Sequence, residues 1–89
     1  MATLFVRHTA ADYAAWRRTY DAFQPRAKTL GVQAEAVYQA AGDPNDITVT
    51  HEFATVEAAQ AFAGSADLRE AMHDAGVVGA PTIWFATRA

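Results

Sequence analysis

Ile47-Thr48-Val49-Thr50-His51-Glu52-Phe53 is the stretch on which the reading of this chain turns. Its apolar residues recur at every second position, the period of a strand with one buried face. On that face His51 stands between Val49 and Phe53, where another valine would be expected. Near the N-terminus Leu4, Val6 and His8 repeat the pattern and again put a histidine among apolar residues. A titratable ring in such a place costs stability unless it has a partner, so both histidines mark a candidate site.

Upstream, residues 2–9 alternate as a first strand. Thr9-Ala10-Ala11-Asp12 has the spacing of a capping box and predicts a helix start. Tyr13, Trp16, Tyr20 and Phe23 then follow at helical spacing and put four rings on one face, with Arg17, Arg18 and Asp21 opposite. Pro25 is expected to break or kink this helix, and Gly31 to cap its end. Residues 32–41 read as a second strand, and Gly42-Asp43-Pro44-Asn45-Asp46 as a hairpin loop leading into 47–53. Downstream, Thr55 caps a second helix with Glu57 in its first turn and Val56, Ala59 and Phe62 on its buried face. Gly64-Ser65 interrupts it. Ser65 caps a continuation through Leu68, Met72 and Ala75, which Gly76 ends. Residues 82–87 form the last strand, with Pro81 at its start, where a missing N–H is tolerated.

The order β-α-β-β-α-β is the ferredoxin-like plan of an α+β domain, an antiparallel sheet with its helices on one face. In the strand order 4-1-3-2 the first and third strands are central. Read as parallel neighbours, they would hold His8 and His51 about 5 Å apart beneath the aromatic helix. The opposite face is expected to carry Arg7, Gln33, Glu35, Gln39, Thr48, Thr50 and Glu52, interleaved with Phe5 and Val37. Arg7 and Glu52 are expected to pair there. A face of that mixture fits packing against a second copy of the chain.

Length and composition narrow the rest. The 89 residues make a single domain, 1–89, that is 52% apolar and 19% charged, globular in composition. A chain this short buries about 60–65% of its unfolded surface, and with no cysteine it lacks a disulfide, so a homodimer is the expected support. The net charge of −3 and scattered basic residues argue against nucleic acid or an anionic membrane as partner. The segment Met1–Arg7 has neither the length nor the basic start of a signal peptide, and the chain has no long apolar run. A cytoplasmic protein that does not span a membrane is expected. Dinucleotide, Walker and nucleophile-elbow motifs are missing. A metal site would want a third ligand beside His8 and His51, and His73 is the only other histidine, so no metal is expected. Asp67, Glu70 and Asp74 read as a solvated helix face.

What remains is acid–base chemistry in an apolar pocket. Histidine suits proton transfer near neutral pH, which makes His51 and His8 the catalytic candidates. Large rings alternating with many alanines can leave a cavity, and an aromatic cavity with a few polar tips is the usual small-molecule site. Trp16, Tyr20, Tyr38, Phe53, Phe62, Met72 and Trp84 are the expected substrate-binding residues, with the phenols and indoles as donors.

Thr50-His51-Glu52-Phe53, Val56-Glu57-Ala58-Ala59-Gln60-Ala61-Phe62 and Ser65-Ala66-Asp67-Leu68-Arg69-Glu70-Ala71-Met72, in this topology, resemble the dimeric α+β barrel superfamily. Within it the chain is most similar to the antibiotic-biosynthesis-monooxygenase-like proteins. The resemblance implies two sheets facing each other across a dimer and a pocket in each subunit between sheet and helices. It also brings a set of activities: cofactor-independent quinone-forming monooxygenases, heme-degrading monooxygenases, small polyketide cyclases and muconolactone-type isomerases. The heme-degrading branch would place an asparagine near Val6, a tryptophan at Phe53 and the heme-ligating histidine at Met72. All three positions depart, with His73 about 100° of helix away. The expectation is therefore a cofactor-free monooxygenase acting on a hydrophobic aromatic or polyketide-like molecule. A cyclase or isomerase using the same pocket, and a non-catalytic binding or stress-associated dimer, are the alternatives.

Overall fold

Alternation, caps and glycines set the element boundaries in the computed structural model, which describes residues 1–89. The elements are β1 (Ala2–Ala10), α1 (Tyr13–Thr29), β2 (Ala34–Ala40), β3 (Asp43–Phe53), α2 (Val56–Ala63), α3 (Ala66–Asp74) and β4 (Val77–Thr87). The four strands form one antiparallel sheet in the order β2-β3-β1-β4, with the helices packed on one face. This is the expected ferredoxin-like α+β plan, its second helix divided at Gly64-Ser65. No helix is long and apolar enough to cross a membrane.

Three caps close their helices as local chemistry requires. Asp12, Thr55 and Ser65 accept from the backbone N–H of Ala15, Ala58 and Leu68. Asp12 is itself the cap of α1, because β1 runs on to Ala10 and leaves no room for a start at Thr9. Contrary to expectation, α1 continues through Pro25. The residues beyond the proline are anchored by tertiary contacts: Ala27 is fully buried and Arg26 pairs with Asp67 of α3 at 3.0 Å. Those contacts offset part of a helix-interior proline's cost of about 3 kcal/mol. Gly31, at φ +104°, then turns the chain, a conformation only glycine adopts freely.

The hairpin is tighter than its composition implies. Ala41-Gly42 alone makes the turn, with Gly42 at φ +85°, and Asp43, Pro44, Asn45 and Asp46 belong to β3. Pro44 is accommodated where the β2–β3 register shifts, between Gln39 and Ala40. Asn45 reaches across to accept the first backbone N–H of α1, from Tyr13, at 2.9 Å. β4 also starts earlier than expected, at Val77, and absorbs Gly79-Ala80-Pro81 in a register shift opposite His8.

Beneath the helices the core has two parts. Leu4, Val6, Ala27, Val32, Phe53, Ala59, Phe62 and Leu68 form one cluster. Ala10, Trp16, Tyr20, Ile47, Val49 and Ala75 form the other. His8 and His51 are the buried polar residues, 7% and 2% exposed.

Candidate functional site

Pairing places the two histidines. β1 and β3 are antiparallel, so His51 lies opposite Leu4 and His8 opposite Ile47. The expected parallel arrangement at about 5 Å is therefore corrected. Returning the chain through the β2–β3 hairpin reverses β3 relative to β1, and the two rings sit four residues apart along the sheet, about 13 Å. Both still face the helices.

Helix α1 bridges the gap. Tyr13, Trp16 and Tyr20 stack in succession, with centroids 5.9 and 4.8 Å apart. His8 lies against Trp16 at 5.6 Å, and His51 lies parallel to Tyr20 at 6.0 Å. The row His8-Trp16-Tyr20-His51 thus runs along the central strands on the helix side of the sheet. Between it and α3 lies a cavity of about 40 Å³. Its walls include Val6, His8, Trp16, Tyr20, His51 and Met72, completed by Thr19, Phe23, Val49 and α3 residues. Such a space fits about three water-sized groups.

Not every expected pocket residue is there. Phe53 and Phe62 are core, 0% and 2% exposed, although Phe62 meets the His51 ring edge-on at 5.3 Å. Tyr38 and Trp84 point to the other side of the sheet, 58% and 41% exposed. Tyr38 pairs with Thr48, and Trp84 pairs with Phe5, whose ring it stacks on at 5.1 Å. Cross-strand partners share a face, so neither ring can enter the pocket.

The same rule reassigns β2. Glu35, Val37 and Gln39 lie opposite His51, Val49 and Ile47, and so face the helix side; Ala34, Ala36 and Tyr38 take the open face. Polar character had pointed the other way. On an edge strand, polar side chains reach water from either face, so polarity is a poor guide there. Arg7 pairs with Asp46 at 2.7 Å, not with Glu52, because Glu52 lies opposite Thr3.

Glu35 is a candidate-site residue that the sequence reading missed. Its Oε2 accepts the Tyr20 hydroxyl at 2.7 Å, and the same Tyr20 oxygen lies 3.1 Å from His51 Nε2. The signal was present: an odd hairpin loop between residues 41 and 47 already pairs odd residues of β2 with Ile47, Val49 and His51. Burial and then the hydrogen bond and charge of Glu35 raise the Tyr20 pKa, so the phenol stays protonated. Burial pushes His51 down to about 4, against the weaker upward pull of Glu35, so the ring is neutral at pH 7. Burial also lowers His8. Neither nitrogen of His8, nor Nδ1 of His51, has a partner in the chain. Buried nitrogens without a partner in the chain are costly and rare, which keeps both rings as candidates for the site. No three His, Cys, Asp or Glu side chains gather as a metal site would need.

No family model and no curated protein matches the chain by sequence. Solved structures do match. A Bordetella bronchiseptica protein, named as a candidate antibiotic biosynthesis monooxygenase, has a TM-score of 0.84 at 15% identity, over 99% of this chain and 96% of its own. The fold is that of the antibiotic biosynthesis monooxygenase-like proteins. SnoaB of Streptomyces nogalater, a cofactor-independent oxygenase, has a TM-score of 0.73 at 9% identity, covering 99% of this chain and 92% of its own. The NE2512 protein of Nitrosomonas europaea, of unknown function, has a TM-score of 0.74 at 23% identity, over 96% and 85%. This monooxygenase-like fold is shared across nearly the whole chain.

Proposed function

We propose that the chain is a small oxygenase that needs no cofactor and acts on a hydrophobic hydroxyaromatic or polyketide-like molecule. The observation that carries this reading is the apolar cavity between sheet and helices, walled by two buried imidazoles with unpartnered nitrogens. The fold shared with SnoaB supports it.

His51 is the base. Neutral at pH 7 and free at Nδ1, it takes a proton from an activated CH₂ beside an aromatic carbonyl or phenol. The resulting carbanion is the reductant: it passes electrons to O₂ and recombines with it as a peroxide. Loss of water from the peroxide leaves a carbonyl, so CH₂ and O₂ become C=O and H₂O. The apolar walls hold the ring and keep bulk water from the carbanion. A fused-ring substrate needs more than 40 Å³. Met72, half-buried and unbranched, is the wall residue best able to move aside.

The partner we propose is a second copy seated on the open sheet face. Phe5 and Trp84 stack there, and the exposed Tyr38 lies on the same face two strands from Phe5, with the Arg7–Asp46 pair on that face as well.

The test is oxygen uptake with a hydroxylated anthrone or naphthol. His51→Ala is expected to abolish uptake in a protein that stays folded. Product formation without oxygen uptake would make the chain a cyclase or isomerase, and full uptake by His51→Ala would remove His51 from the reaction.

A further inference from the structure

Three groups on three elements meet at one phenol: Glu35 of β2, Tyr20 of α1 and His51 of β3. The proton count at that junction is informative. Tyr20 has a single hydroxyl proton, and the Glu35 carboxylate can only accept. At 2.7 Å the phenol therefore donates to Glu35 and turns its lone pairs toward His51 Nε2, 3.1 Å away. Two lone pairs cannot bond each other, so Nε2 must carry the hydrogen. A neutral ring protonated at Nε2 is bare at Nδ1, the His51 nitrogen that has no partner in the chain.

We infer that Glu35 is a positioning residue that acts through Tyr20 to hold His51 in its Nε2–H tautomer, leaving Nδ1 as the basic atom of a ring that lines the cavity. The inference rests on the reading of His51 as the base and adds what sets its polarity. The arrangement has the logic of a nucleophile's base oriented by a distant carboxylate. The link here is a buried phenol and the carboxylate is exposed on the edge strand. When Nδ1 takes a proton, the positive ring donates from Nε2 to Tyr20, whose own donation to Glu35 makes its oxygen a better acceptor. Placing Glu35 at the surface spares the fold a buried anion. Phe62, edge-on to His51, and the Tyr20 ring, parallel to it, limit rotation that would exchange the two nitrogens.

The experiment is long-range ¹H–¹⁵N correlation of ¹⁵N-histidine-labelled protein at pH 7, without any substrate. Wild type is expected to show a pyridine-type Nδ1 and a pyrrole-type Nε2 for His51, in an excess of about tenfold, the ratio one net hydrogen bond supplies. In Glu35→Lys the ammonium can only donate, so the Tyr20 hydroxyl turns to Nε2 and the His51 pattern inverts. Glu35→Asp keeps the carboxylate and retains the wild-type pattern. A merely structural Glu35 would change stability without inverting the tautomer. A wild-type ring protonated at Nδ1, or a pattern unmoved in folded Glu35→Lys, would overturn the inference. Because the tautomer is read in the resting protein, an absence of oxygen uptake would count against the proposed reaction and leave this result standing.

Discussion

Acidification should destabilise this protein through His51, and the size of the effect follows from its burial. The folded ring binds a proton only near pH 4, whereas in the unfolded chain it does so near 6.5. Between these values the unfolded state holds the extra proton. The stability that the neutral buried ring contributes is complete above pH 6.5 and is lost as pH falls toward 4. At about 1.4 kcal/mol for each tenfold in proton affinity, the full loss is about 3 kcal/mol, with about 2 kcal/mol gone by pH 5. For a domain whose total stability is about 5–15 kcal/mol, that is a large share. His8 is shifted in the same direction by burial and adds to the slope. Asp46, held low by its hydrogen bond to Arg7, acts only below its ordinary 3.8 and so outside this window. Urea unfolding of wild type and His51→Leu at pH 7 and pH 5 isolates the His51 share as the difference between their slopes. Leucine preserves the volume and leaves the Tyr20–Glu35 bond in place. A wild-type slope no steeper than that of His51→Leu, or a His51 resonance titrating near 6.5, would refute the reasoning.

Three further outcomes follow from packing. Phe62→Ala removes a ring that touches Phe53, Phe23 and His51 and should cost about 3–5 kcal/mol in urea unfolding. Asp12→Ala leaves the Ala15 N–H without its cap and should cost about 1 kcal/mol by the same measurement, with the sheet unchanged. Trp84→Glu puts a charge on the open sheet face without entering the core; sedimentation should find a dimer in wild type and a folded monomer in the variant, and a monomeric wild type would end the proposal for that face.

Much of the fold was legible because it rests on local signals. The period of two around Val49 and His51, the four rings at helical spacing and the caps at Thr55 and Ser65 all hold in the structure. The errors share a cause: they concern what pairing decides. The separation of His8 and His51, the side taken by Tyr38 and Trp84, and the salt bridge of Arg7 depend on strand direction and register, which composition does not encode. Pro25 misled for a related reason, since the helix beyond it is held by tertiary contacts, the burial of Ala27 and the Arg26–Asp67 pair among them, that a local penalty does not register. Glu35 was overlooked because an exposed carboxylate on an edge strand looks like surface until its partner's position is known.

The central claim is that small hydrophobic molecules enter the cavity beside His51. Its most direct test is titration of ¹⁵N-labelled protein with a hydroxynaphthalene, followed by backbone and side-chain resonances. The account predicts shifts at the His51 ring, the Trp16 indole, Thr19 and Met72, and their loss when Ala71→Trp fills the space. Shifts confined to Phe5, Tyr38 and Trp84 on the open face, or a response unchanged in folded Ala71→Trp, would contradict it.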